Sequence, residues 1–306
     1  MMTQIGRLED VVLVTNSCFA GLPHDRVPSP NFVHLPFDMG RDVYLEKLPN
    51  DLADRVMNAC EPAGENFEPV RQFSQLYTFV RRNLPTEYSH HWDADTRLQS
   101  CVALSRLVKP TSVGFEYSAQ LVLDSTDEIV SIVPGAVVGF GARAWIASDG
   151  QEDWFVQQDI EALKRLWSQP VFPLPPGRIA RAFWYHEYAA RTEFMAVRWT
   201  LVCTGIESLV NTGPGRATKQ FVTRMPELAE RFCGLEVSHS KAGRMYELRS
   251  KVAHGVVLGA LDPATRALYF DLETTLRTTL LNALIDPRVG ELFVSEGRID
   301  QEWPLP

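Results

Sequence analysis

Four prolines in nine residues, Pro170, Pro173, Pro175 and Pro176 within residues 169–177, forbid a helix and favour an extended segment. They also separate two kinds of patterning. Before them, apolar runs of period two are mixed with helical spacings; after them, the apolar residues recur at helical spacing throughout. The sequence therefore predicts an α+β module over residues 1–168, a Pro-rich linker over 169–177, an all-α helical bundle over 178–288 and a tail over 289–306, mainly helical overall. A length of 306 residues accommodates two such domains.

In the first half, Val11, Val12, Leu13 and Val14 predict a strand over residues 10–15, followed by a loop rich in proline and polar residues. Leu48, Leu52, Val56 and Met57 predict a helix over 48–60, stopped by Glu61-Pro62-Ala63-Gly64. Residues 67–82 fit either period, with strand favoured. A helix is expected over 93–108, ending before Pro110. The period then changes: Val113, Phe115, Tyr117, Ala119, Leu121 and Leu123 alternate as in a strand, and residues 129–133 supply another. Residues 154–167 return to helical spacing.

Beyond the prolines, residues 178–191 and 192–211 read as one long helix or two abutting ones, and Gly213-Pro214-Gly215 turns the chain. A third helix is expected over 217–232, bent near Pro226, and a fourth over 238–254. Asp262 and Pro263 cap a fifth, over about 264–286, along which Leu268, Leu272, Leu276, Leu280 and Leu284 form a stripe.

The polar chemistry concentrates in the fourth helix, whose residues 241–255 read Lys-Ala-Gly-Arg-Met-Tyr-Glu-Leu-Arg-Ser-Lys-Val-Ala-His-Gly. Arg249 and His254 lie about 140° apart on an ideal helix. Gly255, a natural left-handed residue, ends the helix at His254, where a relaxed backbone lets the imidazole swing towards the guanidinium. Such a pair suits phosphoryl chemistry, because Arg offers a permanent planar charge and His exchanges a proton near neutral pH. The competing reading is a helix-end pair in which Arg249 is salt-bridged and His254 caps carbonyls. Lys241, Arg244 and Lys251, close by in sequence, would give a locally positive cleft for RNA.

The rest of the composition narrows the alternatives. A formal net charge of −8 and a pI near 5.4 argue against broad binding to a nucleic-acid backbone. Cys18, Cys60, Cys101, Cys203 and Cys233 are odd in number and never in a CxxC arrangement, so neither a disulfide framework nor a zinc ribbon is suggested. His90-His91-Trp92-Asp93-Ala94-Asp95 holds metal-binding atoms without zinc spacing, and reads better as a loop that N-caps the next helix through Asp93 or Asp95. Gly135, Gly139 and Gly141 match neither dinucleotide nor phosphate-loop spacing. The tryptophans and phenylalanines are expected at core positions, not interleaved with basic residues as a nucleic-acid platform requires. No metal or other cofactor is expected. With no basic region leading into an apolar run at the N-terminus and no bilayer-length apolar stretch, a cytoplasmic location is expected.

The wording Tyr246-Glu-Leu-Arg249-Ser250-Lys-Val-Ala-His254-Gly255 resembles the HEPN superfamily, and most of all its Apea-like branch in bacterial defence proteins. The resemblance covers roughly residues 178–286, about a third of the chain. It implies an all-α domain, a homodimer through the C-terminal helices, and metal-independent endoribonuclease action on RNA in abortive infection or a toxin setting, with an antitoxin or sensor as a further partner. Carried over by residue, Arg249 and His254 would be catalytic. Glu207, on an earlier helix, would face Arg249, and Tyr246 would match the aromatic residue one turn before it. A solvated Glu207 and a purely core Tyr246 are the plain alternatives. Ser250 departs from the Asn, Asp or His that commonly follows the Arg. That departure keeps open a non-catalytic module that binds RNA, a nucleotide or a protein.

Overall fold

A computed structural model of the chain describes residues 5–16, 34–47, 49–60, 77–84, 92–110, 113–135, 155–169, 174, 177–192, 194–255 and 262–306. These residues are mainly helical, with one six-stranded antiparallel sheet. The chain divides into two compact units, Met1–Pro170 and Val171–Pro306.

In the first unit the strands are β1 (Ile5–Asn16), β2 (Phe37–Gly40), β3 (Val43–Lys47), β4 (Tyr77–Leu84), β5 (Val113–Asp124) and β6 (Ile129–Pro134), ordered β2-β3-β4-β1-β5-β6. The period of two does its expected work. Tyr117, Ala119, Leu121 and Leu123 of β5 share one face with Val11 and Val80 and bury it against Ala53, Val56, Met57 and Cys60 of helix α1 (Asn50–Cys60). The intervening Ser118 and Gln120 of β5 are polar and still buried; Gln120 Nε2 donates to Asp10 Oδ1 at 3.1 Å. Helix α2 (Trp92–Val108) packs on β1, β4 and β5, and α3 (Gln157–Trp167) packs on α2 and β2.

Two expectations change here. The loop foreseen after β1 contains the β2–β3 hairpin, whose strands of four and five residues are too short for alternation to register. Its turn uses Gly40, Arg41 and Asp42, all at positive φ, and Asp38 Oδ1 accepts the Gly40 N–H at 2.6 Å. Helix α2 already begins at Trp92, so Asp93 and Asp95 lie inside its first turn and are not its N-cap. Across residues 67–82 the strand covers Tyr77 onwards, while 61–76 lie outside the described residues. His90, His91, Gly139, Gly141 and residues 170–173 and 175–176 of the Pro-rich stretch lie outside them too.

The second unit consists of α4 (Arg178–Arg191), α5 (Met195–Val210), α6 (Ala217–Cys233), α7 (His239–Ala253), α8 (Pro263–Ile285), α9 (Pro287–Leu292) and α10 (Glu296–Glu302). Capping chemistry sets the ends. Ser238 Oγ accepts the Lys241 N–H at 3.1 Å, and Asp262 Oδ1 accepts that of Thr265 at 2.8 Å ahead of Pro263. Such caps contribute about 1 kcal/mol each. Helix α8 is central, packing on α4, α5, α6 and α7, and all five leucines of its stripe are buried. Gly205 admits α5 to it closely: a Cβ there would lie 2.6 Å from Leu276 Cδ2. Helix α6 runs through Pro226 without a break.

The last residues are no tail. Helices α9 and α10 bury Phe293, Ile299 and Trp303, and Arg224 of α6 is fully buried beneath them. Its guanidinium donates to the carbonyls of Trp303 and Val210 at 2.8 and 2.5 Å and pairs with Asp300. Helices of six and seven residues show too little period to be recognised.

Candidate functional site

Packing carries the site. Helices α5 and α7 lie against each other, with Trp199 Nε1 donating to the Met245 carbonyl at 3.0 Å. That contact sets Glu207 of α5 opposite the last turns of α7. Glu207 Oε1 accepts from the Tyr246 hydroxyl at 2.9 Å, and its Oε2 pairs with Arg249 Nη2 at 3.2 Å. The guanidinium also rests on the Tyr246 ring, 5.6 Å from its centroid, while Phe221 supports that ring from 5.1 Å.

These contacts bring together Glu207, Tyr246 and Arg249. Burial, and then the Glu207 carboxylate that accepts its proton, push the Tyr246 phenol up, so it stays a donor at neutral pH. Burial first, and Glu207 second, also push up the Cys203 thiol one turn earlier on α5. Arg249 keeps a buried Nε with no partner among the described residues, while 28% of its side chain stays accessible. The guanidinium is thus held on one edge by a carboxylate and remains able to meet an anion.

His254 stands apart. It is the exposed C-cap of α7, its own N–H returning to the Ser250 and Lys251 carbonyls at 3.1 and 3.2 Å, and Gly255 follows at φ +87°. Among the described residues no hydrogen bond or ion pair joins its ring to Arg249 or to any other side chain. No direct bond therefore joins the pair within the single chain. Ser250 is half-buried.

The three basic residues differ in their surroundings within one chain. Lys241 pairs with Asp271, Lys251 pairs with Glu247 at 2.7 Å, and Arg244 is exposed. On the helix, Arg244 and Lys251 lie about 140° and 160° round from Arg249, at roughly 100° per residue.

A second polar cluster escaped the sequence reading. His186 Nε2 lies 3.2 Å from Glu273 Oε1, and Arg277 Nε donates to the same oxygen at 3.1 Å, with His186 and Glu273 fully buried. Burial pushes the Glu273 carboxyl up, but Arg277 and His186 outweigh it and hold the group below its ordinary range. Only the i, i+4 spacing of Glu273 and Arg277 was legible beforehand. Among the described residues, no group of three or more His, Cys, Asp or Glu side chains is placed to hold a metal ion, and no helix is long and apolar enough to cross a membrane.

Comparison with protein-family models, curated proteins and solved structures returns no match, so any functional assignment rests on these residues and on the resemblance of their wording.

Proposed function

We propose that the second unit is a HEPN-type, metal-independent endoribonuclease domain of a defence or toxin system, with Arg249 and His254 as its catalytic pair. The observation that carries this reading is the fixed guanidinium: Glu207 and Tyr246 orient Arg249, yet leave it accessible within the last turns of the helix that ends at His254. In the reaction the RNA 2′-hydroxyl attacks the adjacent phosphate and displaces the 5′ oxygen. Arg249 stabilises the charge that grows on the phosphate oxygens, and His254 moves a proton. Because His254 is not joined to Arg249 in one chain, a second copy across a two-fold axis completes the site and serves the other of the attacking and leaving oxygens.

Two measurements test this. Incubation with mixed RNA in EDTA should yield fragments with 2′,3′-cyclic phosphate and 5′-hydroxyl ends. Unaltered RNA would reject the nuclease. Light scattering on the full chain should give twice the 34.5 kDa of one copy; a strictly monomeric chain that still cleaves would reject the two-fold site. The pairing of Arg249 with Glu207 and the Ser250 variant favour one second reading, a module that binds RNA, a nucleotide or a protein without cutting. Retention of RNA in EDTA with no new ends identifies it.

A further inference from the structure

We propose that the outer side of helix α4 is a stacking platform for single-stranded RNA; the inference rests on RNA as the ligand in the reading above. Arg181, Trp184, Tyr188 and Arg191 recur at i, i+3, i+7 and i+10 and so form one stripe, about 15 Å long at 1.5 Å per residue. The rings are not core residues. Trp184 is 44% exposed, Tyr188 54%, and Phe194, just beyond the helix, 73%. Edge-on packing against the fully buried Phe183, 5.4 Å between centroids, braces the Trp184 ring, and Tyr188 lies 6.3 Å further along.

Charge selects the occupant. The two arginines have no carboxylate partner among the described residues, whereas Lys241 and Lys251 are both neutralised within the chain. The one acidic residue of α4, Glu187, is buried. On a chain of net charge −8, a stripe with an exposed Arg181 at one end, a half-buried Arg191 at the other, aromatic rings between them and no exposed acid among the described residues of α4 matches a polyanion that also carries flat π-faces. A second copy of the chain fits less well, because an isologous contact would set like charges against each other. Duplex RNA fits less well too, because its bases are already stacked. Placement agrees with the nuclease reading. Arg178 Nη1 donates to the Ser208 carbonyl at 3.2 Å, so α4 runs antiparallel to α5, and the stripe starts at the end of that hairpin which carries Glu207.

The test uses the full chain and a fluorescent 2′-O-methyl oligouridine of about twelve nucleotides, which lacks the attacking hydroxyl and stays intact. Trp184→Ala combined with Tyr188→Ala should weaken binding by about tenfold or more, while Trp184→Phe retains it. Arg181→Gln with Arg191→Gln should flatten the slope of log K against log salt by about 1.4, at about 0.7 per phosphate contact. A duplex of equal length should be insensitive to the ring variants. Absence of wild-type binding, or ring variants that bind the oligouridine like wild type, overturns the platform. A ring variant that turns a wild-type dimer into a monomer also overturns it and assigns the surface to self-association. Cleavage of ordinary RNA is scored separately: ring-dependent binding without cleavage keeps the platform and rejects the nuclease, whereas cleavage with ring-independent binding does the reverse.

Discussion

Arg249→Ala and His254→Ala should each lower RNA cleavage by about two to four orders of magnitude, the range found when a charge-stabilising donor or a proton-transfer group is removed. Their effects on stability should differ, and that difference separates a reacting pair from a structural one. Removing Arg249 takes a partner from Glu207, whose side chain is only 11% exposed, and leaves the Tyr246 ring uncovered, a loss of about 1–3 kcal/mol. His254 is exposed and bonded through its backbone alone, so its replacement should cost less than about 0.5 kcal/mol. Equal losses of activity with unequal losses of stability support the catalytic assignment. Cleavage at the wild-type rate by either folded variant would falsify it. Glu207→Gln adds a graded check, since the amide keeps a hydrogen-bond acceptor for Tyr246 but not the charge that fixes the guanidinium.

Elements with a long, single period were the legible ones. The leucine stripe of α8 and its Asp262-Pro263 start were readable because each position follows from one face and one cap. The alternation of β5 was equally plain, since one face meets α1 and its polar positions lie on the other. The β2–β3 hairpin and helices α9 and α10 were not legible, because four to seven residues do not complete a pattern and their anchors are single residues such as Met39, Phe293 and Trp303. At the site, Glu207, Tyr246 and Arg249 were nameable together from the motif and its helical context. The outward course of His254 was not, because it depends on how the backbone relaxes after the last helical turn. The expectation of core tryptophans and phenylalanines held for Trp199 and failed for Trp184 and Phe194. On α4 the buried positions are taken by Ala180, Ala182, Phe183, Ala189 and Ala190, while the rings of Trp184 and Tyr188 are left outside.

Arg224→Ala should destabilise the second unit by about 3–5 kcal/mol, the cost of removing one partner from a buried charged network. Folded domains are held by only about 5–15 kcal/mol, so this is a large share, and the midpoint should drop by about 10–20 °C. Four groups each lose one donor at once: the carbonyls of Val210 and Trp303, the Thr212 hydroxyl at 3.2 Å, and the Asp300 carboxylate, which keeps its bond from Thr212. The first of these closes the C-terminus of α5, three residues from Glu207, so the damage should also reach the candidate site. Asp300 supplies the control, because it is half-exposed and its loss leaves the carbonyl bonds intact. Hydrogen bonds from Thr212 and Arg224 hold its carboxyl below the usual range. A depressed folded pKa contributes stability above the unfolded value, and that contribution disappears as pH falls through the folded one. Asp300→Asn should therefore leave a small loss at pH 7 and remove part of the acid dependence of melting. Hydrogen exchange resolves the local effect: in Arg224→Ala, α9 and α10 should exchange well before α8. Equal protection in variant and wild type would mean that burial of Phe293, Ile299 and Trp303 alone secures the last twenty residues, and that the buried arginine is replaceable.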